Sequence, residues 1–245
     1  MISGEYAQMY ALEKDYWWYK GLHELVDEIL RQRVVLGKEL EILDAGCGTG
    51  RMLQVAGKYG SATGIDASPD AVFFCAQNGL SNVCRDDLNT WMPEPERYDA
   101  IISLDVLYHS AIQDDATIIA KFHHALKGGG VCIVNLPAFP LLFRNHDLAV
   151  HTRRRYRKDP ATRMFRDAGF QIRLATYRLP HLFLLILAKK MIQSLVKRKD
   201  ESDLRPLPQW LNGCLYHLLR MENRAILSGV PLPFGSSLFL VAEKG

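Results

Sequence analysis

A short apolar run ends in an acid and breaks into a glycine-rich turn: Ile42-Leu43-Asp44-Ala45-Gly46-Cys47-Gly48-Thr49-Gly50. No other feature limits the possible folds of this chain so strongly. The run has the length and character of a buried strand. Glycines at alternate positions let backbone approach a bound ligand where a side chain would clash. The dinucleotide fingerprint G-x-G-x-x-G is absent, because Arg51 stands where its third glycine belongs. No G-x-x-x-x-G-K-[ST] phosphate loop occurs. The turn reads as a ligand loop at a strand end, for something other than NAD or a nucleoside triphosphate.

Strand-like and helix-like patterns alternate along the chain, which predicts a mostly parallel sheet with helices on both faces. Expected strands are 41–45, 62–66, 82–86, 98–104, 131–136, 170–176 and 237–242. One helix opens after Gly50. A second follows Ser68-Pro69-Asp70, where serine suits the N-cap and proline the first turn. A third runs from about Asp114 to Lys127 and stops at Gly128-Gly129-Gly130. A fourth starts at Asp159-Pro160 and ends at Gly169. Asp44, Asp66 and Asp86, with Asp87 beside it, close the first three strands. One acid at a strand end is often only a cap for the next helix. Three in succession after a glycine loop form a joint pattern, and a carboxylate at the second can accept from both hydroxyls of a ribose.

The D-x-G-x-G-x-G spacing resembles motif I of the class I S-adenosylmethionine-dependent methyltransferases, and the resemblance extends along most of the chain. It implies a Rossmann-like, mostly parallel seven-stranded sheet with an antiparallel last strand. S-adenosyl-L-methionine is the implied cofactor and S-adenosyl-L-homocysteine its product. By the same resemblance Asp44, Gly46, Cys47, Gly48 and Gly50 back the methionine end. Asp66, with Ala67, serves the ribose; Asp86 and Asp87 face the adenine amine, with Leu88 against the ring. Leu104 ends the fourth-strand motif Tyr98-Asp99-Ala100-Ile101-Ile102-Ser103-Leu104, beside the sulfonium. Leu126-Lys127-Gly128-Gly129-Gly130 resembles the family's L-K-P-G-G turn, with glycine in place of proline.

The acceptor side is less determined. His109, just past the fourth strand, is a candidate general base because an unperturbed imidazole titrates near neutrality; a loop-ordering histidine is the alternative. Tyr108 is expected to wall the acceptor. His146-Asp147-x-x-x-His151-x-Arg153-Arg154-Arg155-Tyr156 resembles an H-x-R-R-x-Y loop in a bacterial branch of the family. His146 and His151 are further catalytic candidates, and Arg154, Arg155 and Tyr156 candidate substrate contacts through arginine forks. Asp147 pairing with an arginine to order the loop fits equally. Trp17 and Tyr19, in the cluster Tyr16-Trp17-Trp18-Tyr19, suggest a lid, although two adjacent tryptophans cannot both face one side of a helix. No spacing of Cys, His or acids suggests a metal.

The expected organisation is one methyltransferase domain over 1–245. A helical cap spans 1–40, the core 41–177 and 236–245, and a helical insert 178–235. Such inserts in compact domains tend to be lids or binding elements. Residues 151–205 hold fifteen Lys/Arg against five Asp/Glu, a net of +10 in a chain of net +3. From Ala188 apolar residues recur at helical spacing among Lys189, Lys190, Lys197, Arg198 and Lys199. That pattern fits an anionic membrane surface or amphiphile, and equally a helix packed on its own sheet. Five unpatterned cysteines read as reduced, buried thiols, and no signal-like start or spanning segment is visible, so a cytoplasmic protein is expected, with peripheral membrane contact as an alternative. A small-molecule acceptor, apolar or with an anionic handle, is favoured over RNA or protein, and a non-catalytic S-adenosylmethionine-binding regulator is the reading from another class. Oligomeric state is not readable.

Overall fold

The computed structural model describes residues 3–33, 39–144, 147–148, 150–193 and 207–245. α1 (Ser3–Leu12) and α2 (Trp17–Arg33) precede β1 (Leu40–Ala45). Then follow α3 (Arg51–Ala56), β2 (Gly60–Asp66), α4 (Pro69–Gln77), β3 (Val83–Arg85) and β4 (Tyr98–Leu104). The second half runs α5 (Asp115–Ala125), β5 (Leu126–Pro137), α6 (Lys158–Asp167), β6 (Phe170–Arg178), α7 (Pro180–Gln193), α8 (Gln209–Leu227) and β7 (Ser237–Lys244).

The strands form one sheet in the order β3-β2-β1-β4-β5-β7-β6. Pairing is parallel except around β7, which lies antiparallel between β5 and β6. Order reverses between β1 and β4, so the crevice beyond their carboxyl ends is the favoured ligand position of an open α/β sheet. Two apolar layers sandwich the sheet. One, with Phe122 and Phe165, lies under α5 and α6; the other, with Leu22, Leu25 and Leu53, lies under α2 and α3. On the second face the strands stay apolar until their ends and then turn polar: Ile42 gives way to Asp44, Ile133 to Asn135, and Leu174, two steps on, to Arg178.

Local chemistry explains most boundaries. Ser68 accepts from the Asp70 amide at the start of α4, with Pro69 in the first turn, as predicted. Elsewhere the expectations need correction. The glycine run does not stop a helix ahead of a strand: α5 ends at Ala125 and β5 begins at Leu126, the glycines forming a bulge between the pairs Tyr98–Leu126 and Ala100–Val131. α6 starts at Lys158 with no side-chain cap, so Asp159 and Pro160 lie inside its first turn. The helix expected from Ala188 begins earlier, at Pro180, and takes in the apolar run Leu182–Ala188; Lys197, Arg198 and Lys199 lie outside the described residues. Cys84 and Cys214 are exposed, against the expectation of buried thiols; Cys47, Cys75 and Cys132 are buried. Among the described residues no helix is long and apolar enough to cross a membrane.

Candidate functional site

The glycine loop leaves β1 in a conformation that few other residues adopt. Gly46 has φ 87°, and a β-carbon there would run into Val106, just past the end of β4. The loop is therefore pressed against the β4 turn. At the end of β2, Asp66 ties loop to helix: Oδ2 accepts from the Gly48 amide at 3.0 Å and Oδ1 from the Ser68 amide at 2.9 Å. The Tyr6 hydroxyl of α1 donates to the same Oδ1 at 3.4 Å. Met9 covers Gly48, and Tyr10 packs on Phe74 of α4 with centroids 4.9 Å apart. α1 thus lies across the loop.

Beneath it are two buried acids. Asp44 is 2% exposed and Glu13 4%, and Asp44 Oδ2 and Glu13 Oε1 have no hydrogen-bond partner among the described residues. Burial, then the charges of Asp66 and Glu13, push Asp44 up to about 8. Burial pushes Glu13 up to about 7, against the pull of Thr49 and Arg51. Unpaired buried carboxyls are costly, and two beside a glycine loop suit a ligand that brings an ammonium group. Buried Cys47 lines the loop, its thiol raised by the neighbouring Cys75 and by burial.

The adenine-side candidates are less uniform. Leu88 is buried and Leu104 partly so, while Ala67 is exposed, its carbonyl accepting from Arg85. Asp86 accepts from the Asp87 amide, and exposed Asp87 holds the amide and side chain of Asn89. Asp87 is occupied in fastening its own turn.

On the acceptor side, the loop 147–156 pairs with 108–110. Ser110 donates to the His151 carbonyl at 2.8 Å and Arg153 to that of Tyr108 at 2.8 Å. His109 and His151 meet with ring centroids 5.6 Å apart. His109 Nδ1 accepts from the Ala111 amide at 3.1 Å, and burial, with help from His151, lowers the ring to about 4. A neutral imidazole accepting at Nδ1 carries its proton on Nε2. The Nδ1 lone pair is thereby engaged in ordering the turn at Ala111. His146 lies outside the described residues.

The arginine loop is spent on ordering itself. Arg155 forks Asp147 at 2.7 and 3.1 Å, both side chains buried. Arg153 and Arg154 pair with Asp115 of α5, and the buried Tyr156 hydroxyl donates to the same carboxylate at 2.6 Å. Arg154 and Tyr156 thereby fasten the loop to α5. Trp17 packs into the cluster of Leu179 and Leu219 between α2 and α8, while Trp18 is half-buried. Tyr19 is also half-buried, and burial first, then Glu13 and Asp105, raise its hydroxyl.

Reading the sequence missed a second group. Asp105 has φ 58° and accepts from Asn135 Nδ2 at both oxygens, at 3.1 and 3.0 Å. Arg178, 1% exposed, lies 3.7 Å from Glu222 of α8 and donates to Asn223 at 3.3 Å. Leu179 and Phe139 also have positive φ, at 61° and 56°. For bulky residues that backbone is unusual, and such strain clusters at functional sites. A polar residue closing an apolar strand was the one available signal.

Residues 42–130 match a family model described as a methyltransferase domain. No curated protein matches the whole-chain search. Among solved structures, an S-adenosylmethionine-dependent methyltransferase from Mesorhizobium loti is similar at 16% identity and TM-score 0.57, covering 89% of this chain and 96% of that one. One from Archaeoglobus fulgidus gives 16% and 0.55, over 91% and 94%. Phosphoethanolamine N-methyltransferase 2 from Haemonchus contortus, in complex with S-adenosyl-L-methionine, gives 19% and 0.55, over 89% of this chain and 52% of that one. The fold is the one these S-adenosylmethionine-dependent methyltransferases share, and residues 42–130 are the part similar to the methyltransferase-domain model.

Proposed function

We propose that this chain, an S-adenosylmethionine-dependent methyltransferase of the class I fold, methylates a small molecule held under its non-core helices. In this reading Gly46, Cys47, Gly48 and Gly50 cradle the methionine end, and Asp44 and Glu13 receive its ammonium. Asp66 exchanges Tyr6 for the ribose hydroxyls, with Ala67 beside it. Leu88 backs the adenine, Asp86 faces its amine, and Leu104 borders the sulfonium. Bound there, S-adenosylmethionine would supply an electrophilic methyl group for the acceptor's lone pair. Tyr19, Tyr108 and His151 shape the acceptor end, and the Asp147–Arg155 pair stiffens the loop behind Tyr108.

The observation that carries the small-molecule reading is the roof: α1, α2 and α8 bury Glu13, Trp17 and Arg178 over the strand ends. A folded RNA or protein substrate needs that space open. The phosphoethanolamine N-methyltransferase neighbour supports an acceptor of this size. In this reading the domain is one unit over 1–245, with 1–40 as cap and 178–235 as lid. A second reading, in which the insert also touches an anionic membrane, rests on exposed Leu141, Leu184 and Leu185 beside Lys189. Titration calorimetry with S-adenosylhomocysteine, then an extract assay with methyl-labelled cofactor, tests the proposal. Label recovered only in macromolecules would overturn it.

A further inference from the structure

Resting on that reading, we propose that Asp105 is the carboxylate that takes the acceptor's proton, in a polar chamber formed with Tyr19, Tyr108, Asn135 and Arg178, and that the acceptor presents an amine there. Four elements meet there. Asp105 follows β4 and, through Val106, abuts Gly46 of the cofactor loop. Asn135 of β5 donates to both its oxygens. Arg178 ends β6, and Tyr19 opens α2 from above.

Unmet hydrogen-bonding capacity marks the chamber as built for a ligand. Arg178 Nε and Nη1 and Asn135 Oδ1 are buried with no hydrogen-bond partner among the described residues. Asn135 Oδ1 is an acceptor, and Asp105 is bonded from one side only by the Asn135 amide. The chamber thus holds acceptors on Asp105 and Asn135 and donors on Arg178.

Charge decides the ligand class. Arg178 is balanced by Glu222, whose oxygens also accept from the Leu179 amide at 3.0 and 3.1 Å. Asp105, Glu13 and Asp44 remain around the chamber, against Arg51 near Glu13. Arg155, behind Tyr108, is forked to Asp147. Asp105, bonded to Asn135, can meet an ammonium, while the two unmet Arg178 donors are left for an oxygen of the same ligand.

The proton step balances without a co-reactant. An ammonium acceptor gives one proton to Asp105, which becomes the neutral acid, and the nitrogen's freed lone pair is the nucleophile. The proton passes to water when product leaves. Burial, eased by Asn135 and Arg178, places Asp105 up at about 7, where it can both take and release a proton near neutrality.

Sinefungin, the S-adenosylmethionine analogue with an amine in place of the sulfonium methyl, tests this without a known acceptor. Calorimetry at pH 8 should show sinefungin binding at least about tenfold more tightly than S-adenosylhomocysteine, the worth of one charged hydrogen bond. Asp105→Asn should bring the two affinities together and leave that for S-adenosylhomocysteine unchanged, while Asp105→Glu keeps part of the preference. In the wild type the preference should shrink as pH falls below about 7. Glu13 and Asp44 titrate in the same range, so Glu13→Gln serves as the contrast. Equal wild-type affinities, or a preference that survives Asp105→Asn and disappears in Glu13→Gln, would overturn the proposal. Failure of both ligands to bind would instead count against the cofactor reading. Should Asp105→Asn not fold, a wild-type preference flat between pH 5.5 and 8 (roughly 1.5 units below to one above the carboxyl's own value) overturns it equally.

Discussion

The two halves of the strand-end crevice are built on opposite plans. The cofactor half is made of residues close in sequence: Asp44 to Gly50 form one turn, and Asp66 and Ser68 close the next strand. The acceptor half gathers Tyr19, Asp105, Asn135, Arg178 and Glu222 from across the chain, and no two of them are sequence neighbours. A local device is read by any fold that places one strand beside the next. A dispersed device exists only when the whole sheet and its roof are in register. Damage should therefore separate: ligand affinity from the first half, global stability from the second.

The largest expected effect lies in the dispersed half. Arg178→Ala leaves Glu222 buried without its cation, and loss of one member of a buried pair costs about 3–5 kcal/mol. Chemical denaturation should show a loss of that size; a change below about 1 kcal/mol would mean that water already serves Glu222. Next comes pH. Asp44 titrates between its ordinary 3.8 and about 8. Because its folded-state value is raised, its contribution to stability is complete below about 4 and lost as pH rises to about 8. Ligand-free protein should thus melt at lower temperature at pH 8 than at pH 5, and Asp44→Asn should flatten that slope by a few kcal/mol (roughly, at 1.36 kcal/mol per unit). A slope unaltered in the variant would show that other groups set it.

Asp66→Ala is expected to act on the local half alone. Loss of charged acceptors for a ribose should weaken S-adenosylhomocysteine by about 1–3 kcal/mol, while the melting temperature falls little. Unchanged affinity would reduce Asp66 to a fastener of Gly48 and Ser68. The smallest effect belongs to the surface. Anionic vesicles should retain more protein than neutral ones, less so as salt rises, and Lys189→Glu should reduce this by about 1 kcal/mol at most. Equal sedimentation with both vesicle types removes the lipid reading.

What could be read from the sequence follows the same division. The seven strands and the loop were legible because glycine spacing, strand-end acids and caps such as Ser68 are local signals, while the antiparallel last strand was implied only by the family resemblance. Strand ends were less so, since the bulge at Gly128–Gly130 depends on pairing with β4. The role of His109 could not be read because it turns on which nitrogen meets the Ala111 amide, and that of Arg154 because Asp115 is forty residues away in another element. Asp105 was in view throughout, but its positive φ and its bonds to Asn135 are products of the folded sheet.

Among the described residues β6 sits at the sheet edge and pairs with β7 alone, the last of these strands in chain order. Until β7 slides between it and β5, β6 has nothing to pair with, and long-range insertion of this kind is slow to form. Arg178, at the tip of β6, is therefore expected to join the crevice late in assembly. A partly folded chain can own a glycine loop and grip a nucleoside, yet lack the far wall. Capacity to hold one ligand and capacity to process two should emerge at different times after dilution from denaturant, with the second reporting completion of the sheet.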